Sequence, residues 1–157
     1  MSLEKELSLD KPFTDVRHEA VLNIVRTANL LAATADNLFR KHGLTEAQFN
    51  VLFLLNIKRH PVTQSELGKR LVVTRASITS VLDKLEAKGL VVRKSVPGNR
   101  RIYHIDLTSK GRELVARVEP LYRSGIHRAT AALDDKDCKA LIGFLEDIRA
   151  KAETALG

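Results

Sequence analysis

Four basic side chains bracket one turn. Arg93 and Lys94 precede it, Pro97-Gly98-Asn99 forms it, and Arg100 and Arg101 follow directly. Like charges crowded at a hairpin tip suit the recognition of an anion. Arginine offers a planar fork of donors to phosphate or to base edges, and lysine offers a point charge. A second set lies upstream, where Thr74, Arg75, Ala76, Ser77, Thr79, Ser80 and Lys84 combine hydroxyls, small side chains and two cations. Hydroxyls at helical spacing bond base edges or phosphate oxygens, and the Arg75 fork matches the O6 and N7 acceptors of guanine. No Ser/His/Asp or Cys/His arrangement, phosphate loop or dinucleotide pattern accompanies them. Enzymatic chemistry, catalytic residues and a cofactor are therefore not expected.

The charge distribution agrees. Residues 58–101 hold eleven Lys and Arg against three acids, a net +8, while the rest of the chain nets −1. Charge concentrated in one contiguous segment points to a polyanionic partner. The five histidines include no i, i+4 pair and no cysteine cluster joins them, so no metal site is expected. The single Cys138 cannot form an internal disulfide, and no secretory leader pattern or bilayer-length apolar run occurs. These features predict a cytoplasmic protein with no membrane partner.

The elements that must position the basic groups follow from periodicity and punctuation. With 157 residues, 44% of them hydrophobic, the chain can bury one substantial core, filled by aliphatic side chains because aromatics make up only 4%. Residues 1–12 are polar and read as a loose arm. Val21, Ile24, Val25, Ala28, Leu31, Ala32, Ala35, Leu38 and Phe39 form the stripe of a long amphipathic helix from about Thr14 to Lys41, with Gly43 as its left-handed stop. Thr45-Glu46-Ala47-Gln48 and Thr63-Gln64-Ser65-Glu66 are capping boxes that open two further helices. The first of these is apolar nearly all round, which predicts a buried helix. A fourth helix starts at Thr74-Arg75-Ala76-Ser77, buries Ile78, Val81, Leu82 and Leu85, and stops at Gly89. The short connection makes the last two helices a helix-turn-helix.

Residues 90–107 read as a β-hairpin, with Leu90, Val92 and Val96 on one face of its first strand and Tyr103, Ile105 and Leu107 on one face of its second. Thr108 caps a fifth helix whose apolar residues are Leu114, Val118, Leu121 and Ile126, and Pro120 should kink or end it. Asp134 caps a last helix. The predicted fold is mainly α with a small antiparallel β wing: a winged helix-turn-helix over 44–108, an arm and first dimerisation helix over 1–43, and C-terminal dimerisation helices over 109–157.

In this layout the second helix of the motif enters the major groove. The candidate DNA contacts are Thr63, Gln64, Thr74, Arg75, Ala76, Ser77, Thr79, Ser80 and Lys84 on the motif, and Arg93, Lys94, Asn99, Arg100 and Arg101 on the wing. Arg93 and Lys94 suit phosphates. Thr74 serves either as a cap or as a contact. Asp83 sits awkwardly on the same face, where it either pairs with a nearby arginine or accepts from a cytosine amine.

The stretches LTEAQFNVLFLL, TQSELGKRLVVTRASITSVLDKLEAKGLVVR and NRRIYHIDLTSKG resemble the MarR (multiple antibiotic resistance regulator) family of bacterial transcription factors. The resemblance implies a homodimer that places the recognition helix of each subunit on a pseudo-palindromic operator in double-stranded DNA. It also implies repression relieved by a small-molecule effector, which the sequence leaves unnamed. The wing of such proteins carries Asp-x-Arg, which falls here on Asn99-Arg100-Arg101, so Arg101 takes the minor-groove role and the anchoring aspartate is missing. Cys138 does not match the position of the family's oxidation-sensing cysteine, and the tryptophan of its urate-responsive members is absent. Independently of the family, apolar stripes on terminal helices flanking a complete domain call for a two-fold partner. The alternative to an effector-controlled repressor is an architectural or constitutive DNA-binding protein.

Overall fold

The computed structural model describes residues 2–71, 78–96 and 99–155, without the side chains of 96, 99–102 and 153. Along the chain run α1 (Leu3–Glu6), α2 (Val16–Lys41), α3 (Glu46–Ile57), β1 (Val62–Thr63), α4 (Gln64–Arg70), α5 (Ile78–Ala87), β2 (Val91–Val96), β3 (Asn99–Leu107), α6 (Ser109–Ala129) and α7 (Asp135–Ala155). The fold is mainly helical with one small antiparallel sheet, a winged helix-turn-helix. The chain forms two compact units, Met1–Glu119 and Pro120–Gly157.

Local chemistry sets most boundaries in the first unit. Helices α2 and α5 end in the same device. Gly43 and Gly89 take φ of +70° and +68°, and the next amide reaches back to the carbonyl five residues earlier, Leu44 N to Phe39 O and Leu90 N to Leu85 O. This Schellman motif satisfies carbonyls left over at the helix end and brings the leucine onto the apolar residue of the last turn. Phe39, Leu44, Leu85 and Leu90 are accordingly all buried. Both capping boxes form. Thr45 and Gln48 exchange backbone-to-side-chain bonds at 3.2 and 3.3 Å, as do Thr63 and Glu66 at 2.7 and 3.3 Å.

Helix α3 lies at the centre of this unit, with Phe49, Val51, Leu52 and Leu55 buried, as its all-round apolarity predicts. Phe39 of α2 stacks on Phe49 with ring centroids 4.3 Å apart. Leu67, Leu82, Leu85, Ile105, Val115 and Val118 complete the core. Each buried side chain of this size stabilises the fold by about 1.5–3 kcal/mol.

Two expectations need correction, on the N-terminal arm and on the phase of β2. The N-terminal arm is not loose: Leu3 is buried, Phe13 N donates to Glu4 Oε1 at 2.9 Å, and Arg26 Nε donates to Glu6 at 2.6 Å. The phase of β2 is shifted by one residue. Val91 is buried and Val92 exposed, because Leu90 owes its burial to the helix cap and strand alternation starts only after it. On β3, Ile105 and Leu107 of the expected face are buried and Tyr103, nearer the hairpin tip, is exposed. Helix α6 runs through Pro120, and the ring costs it the backbone donor that would serve Ala116. Its inward residues are Val115 and Val118, with Leu121 and Ile126 exposed.

The sheet has the order β1-β3-β2. Strand β1, too short for an alternation signal, pairs Val62 with Ile105. Strand β2 is the free edge on the far side of β3, in register Val91↔Leu107 to Ser95↔Tyr103.

In the second unit, Asp134 and Asp137 exchange cap bonds at 2.8 and 3.3 Å and open α7. None of the described side chains of α7 is buried, and Leu141, Ile142, Phe144 and Ile148 are exposed. Among the described residues, no helix is long and apolar enough to cross a membrane.

Candidate nucleic-acid interface

Helix α5 has two sides. Val81, Leu82 and Leu85 seal one side into the core. Thr79, Ser80, Asp83, Lys84 and Ala87 are exposed on the other. The interior side fixes the helix, and the exposed side is then free for recognition. Thr74, Arg75, Ala76 and Ser77 lie outside the described residues, as do the side chains of Asn99, Arg100 and Arg101.

The start of α4 is tied to α5. Thr63 closes β1 and caps α4 at once, and Glu66 accepts from its backbone amide at 2.7 Å and from its hydroxyl at 2.9 Å. The amide of Thr63 foremost, then its hydroxyl, holds the Glu66 carboxyl below its usual range. Next to this cap, Gln64 Nε2 donates to Thr79 Oγ1 at 2.7 Å. Two candidate contact residues from different helices are thus joined. Because Thr79 accepts here, its hydroxyl proton remains a donor, and the Gln64 carbonyl remains an acceptor. Gly68 faces α5, where an added Cβ would lie 3.7 Å from Ile78 Cγ2, an ordinary contact distance.

The wing residues divide in their pairing. Arg93 points towards α5, where its Nη2 meets Asp83 Oδ1 at 2.6 Å and its Nη1 meets Glu86 Oε2. Its backbone amide donates to Glu86 Oε1 at 3.2 Å. Burial works against the charge, but the hydrogen bonds that the guanidinium donates to Asp83 and Glu86 raise its pKa. Of the two roles open to Asp83, the fold realises the arginine pair. Lys94, on the other face of β2, meets Asp106 Oδ2 at 2.8 Å and is well exposed. Asp106 also accepts from Lys58, which further donates to Ile105 O at 2.8 Å. One carboxylate thus faces two ammonium groups, and a positive charge is left over at the sheet surface.

Asp106 also makes the wing base sensitive to acid. Hydrogen bonds from Lys58 and then Lys94 lower its carboxyl from the ordinary 3.8 to about 2. A depressed carboxyl stabilises the fold above its unfolded value, and that contribution is lost as pH falls from about 3.8 through about 2. Asp106→Asn is therefore expected to cost roughly 1 kcal/mol at neutral pH, the scale of a partly exposed ion pair. The gap between variant and wild type should close towards pH 2, read from denaturant titrations across the range. A gap that stays constant with pH would refute this assignment.

Sequence reasoning did not single out Lys58, Glu86, Lys88, Asp106 or Gly111. Glu86 had a local signal, an acid one turn before a glycine stop with an arginine just inside the next strand. Lys58 and Asp106 had none, since they meet across most of the domain's length. Lys88 donates to Gly43 O at 2.6 Å and to Gln48 Oε1 at 3.1 Å, linking the two glycine stops. Among the described residues, no three metal-ligating side chains come together.

The comparisons with known proteins bear on the motif and its flanks together. The family profile described as MarR family matches residues 42–102. The HTH-type transcriptional regulator YkoM of Bacillus subtilis (strain 168) is 30% identical over 138 residues, covering 85% of this chain and 89% of that one. The HTH-type transcriptional regulator MhqR of the same organism is 32% identical over 113 residues, 72% of this chain and 77% of its own. Among solved structures, the M. tuberculosis transcriptional regulator MOSR, crystallised in complex with DNA, superposes with a TM-score of 0.68. It is 28% identical, over 88% of this chain and 98% of that one. With likeness of this extent running beyond the motif into its flanking helices, the chain belongs to the MarR family of winged helix-turn-helix transcriptional regulators.

Proposed function

We propose that the protein acts as a homodimeric, sequence-specific repressor that binds a pseudo-palindromic DNA site and leaves it when a small-molecule effector binds. The observation that carries the DNA-binding part is the exposed row Thr79, Ser80 and Lys84 on a helix whose other side is sealed in the core. It lies within the segment of net charge +8. Small side chains let a helix sit deep in the major groove, and hydroxyls bond base edges or phosphates there. Gln64 and Thr79 act as a joined donor–acceptor pair, and Arg75 reads a guanine. Lys84, Lys94 and Arg100 hold phosphates, and Arg101 enters the minor groove with Asn99 beside it. Thr63, Thr74, Ala76, Ser77 and Ser80 line the approach. The relative crystallised with DNA supports the DNA-binding part of this reading.

The dimer is supported by apolar surface that each unit leaves bare. Of α2 only Phe39 is buried, with Val21, Val25, Leu30 and Leu31 exposed. None of the described side chains of the 21-residue α7 is buried, whereas a helix draws most of its stability from packing an apolar face. A second copy offering the same surfaces covers both.

Two measurements test this reading. Selection of genomic fragments by the purified protein should enrich one pseudo-palindromic motif, and sedimentation at micromolar concentration should give the mass of two chains. Enrichment without any shared motif would leave only non-specific binding. A monomer would overturn the two-fold arrangement.

A further inference from the structure

Arg93 belongs to the basic hairpin, yet its geometry is that of a strut. It sits mid-way along β2, the edge strand, opposite Ile105. The two carboxylates it meets lie on the helix that carries Thr79, Ser80 and Lys84, at positions one turn apart on one face. Glu86 spends one oxygen on the Arg93 backbone amide and the other on its guanidinium, while Asp83 takes the second guanidinium arm. An unpaired edge amide is thereby satisfied by the neighbouring helix. The guanidinium side chain is only 20% exposed, against 62% for Lys94 beside it.

A second observation points the same way. Asp83 is 58% exposed on the side of α5 that bears the hydroxyls. A carboxylate there repels phosphate, so its presence costs DNA affinity unless it does something else. What it does in this fold is hold Arg93.

We infer that Arg93, Asp83 and Glu86 form a positioning triad that fixes the angle between the recognition helix and the wing, so that both reach DNA together, and that Arg93 itself touches no phosphate. The inference rests on the DNA-binding reading and adds a division of labour among the wing cations. Adjacent Arg93 and Lys94 face opposite sides of β2, the first towards the helix and the second outwards. The helix is thus coupled to the wing by three bonds from one residue, two from its side chain and one from its backbone.

The test uses the full-length protein and a fluorescein-labelled duplex of about 30 base pairs, enriched by the wild-type protein from random DNA. Arg93→Gln is expected to weaken binding by about tenfold or more, with the slope of log affinity against log salt unchanged. A lost phosphate contact would instead lower that slope by about 0.9 per subunit. Asp83→Asn removes one exposed carboxylate and is the milder variant. It is expected to weaken binding about threefold, although deleting a negative charge near DNA should otherwise strengthen it.

Hydrogen exchange supplies a readout that a general loss of stability would not reproduce. In Arg93→Gln, amides of residues 91–96 and 103–107 should exchange about tenfold faster while those of α3 stay unchanged. A slope that drops by one phosphate per subunit, an Asp83→Asn protein that binds as tightly as wild type or tighter, or exchange that quickens evenly through the fold would each overturn the triad. A wild-type protein that enriches no duplex at all sinks the DNA-binding reading, and the inference with it.

Discussion

Gly111→Ala is expected to lower the stability of the fold by about 3–5 kcal/mol, the range of severe overpacking. A Cβ at this position would lie 2.1 Å from the carbonyl oxygen of Leu90 and 3.3 Å from Leu107 Cδ2. The first obstacle is backbone, so no rotamer change relieves it. That carbonyl also accepts the Thr108 amide at 3.1 Å. Around it, Thr108 Oγ1 takes the Gly111 amide at 3.0 Å and donates to Gly89 O at 2.7 Å, and Lys110 donates to Lys88 O at 2.8 Å. Moving α6 away to admit a methyl group would stretch this whole clamp on the α5–β2 turn.

Helix propensity pulls the other way by only about 1 kcal/mol. The same substitution at Gly125 of the same helix meets nothing within 4 Å of its own chain. It should therefore be neutral or slightly stabilising. Thermal unfolding followed by circular dichroism distinguishes the two: Gly111→Ala should melt about 10 °C lower. Melting curves that coincide for both variants would show that the turn yields at little cost.

Raising salt from about 50 to about 200 mM is expected to weaken binding of a selected duplex by about 10³-fold, through release of counterions from about six phosphates. The cations proposed for this are Lys84, Lys94 and Arg100 of each subunit. Lys94 keeps net positive charge because Lys58 already neutralises the carboxylate it shares. Arg93 adds nothing to the slope, since Asp83 and Glu86 more than cancel its charge locally. Fluorescence anisotropy at several salt concentrations gives the slope directly. Affinity independent of salt would remove the polyanion from the proposal, whatever the fold. Lys84→Ala offers an internal check: it should flatten the slope while leaving the melting temperature within a degree or two.

Much of the site's framework is legible in the sequence, because it is made by bonds between residues close along the chain. Both capping boxes, the glycine stops at 43 and 89 and the Asp134 cap act within one or two helical turns, so residue type and spacing suffice to place them. The burial of Val81, Leu82 and Leu85, and the hydroxyl row opposite, follow from helical periodicity alone. Other features arise only when distant parts of the chain meet. The phase of β2 depended on where a helix cap ended and a strand began. Strand β1 exists because Val62 finds Ile105. Lys58 reaches Asp106, and Gly111 lies against Leu90, through packing that no periodicity announces.

The basic hairpin shows the division most directly. Its sequence determined that positive charge gathers beside a recognition helix, since charge is a property of residue type. Only the tertiary structure decided which charges remain available, because a carboxylate neutralises whichever cation the fold brings to it. By that criterion Arg93, identical in type to Arg100 and Arg101, is held by two of the protein's own acids, while its neighbour Lys94 shares a single carboxylate with Lys58 and stays exposed.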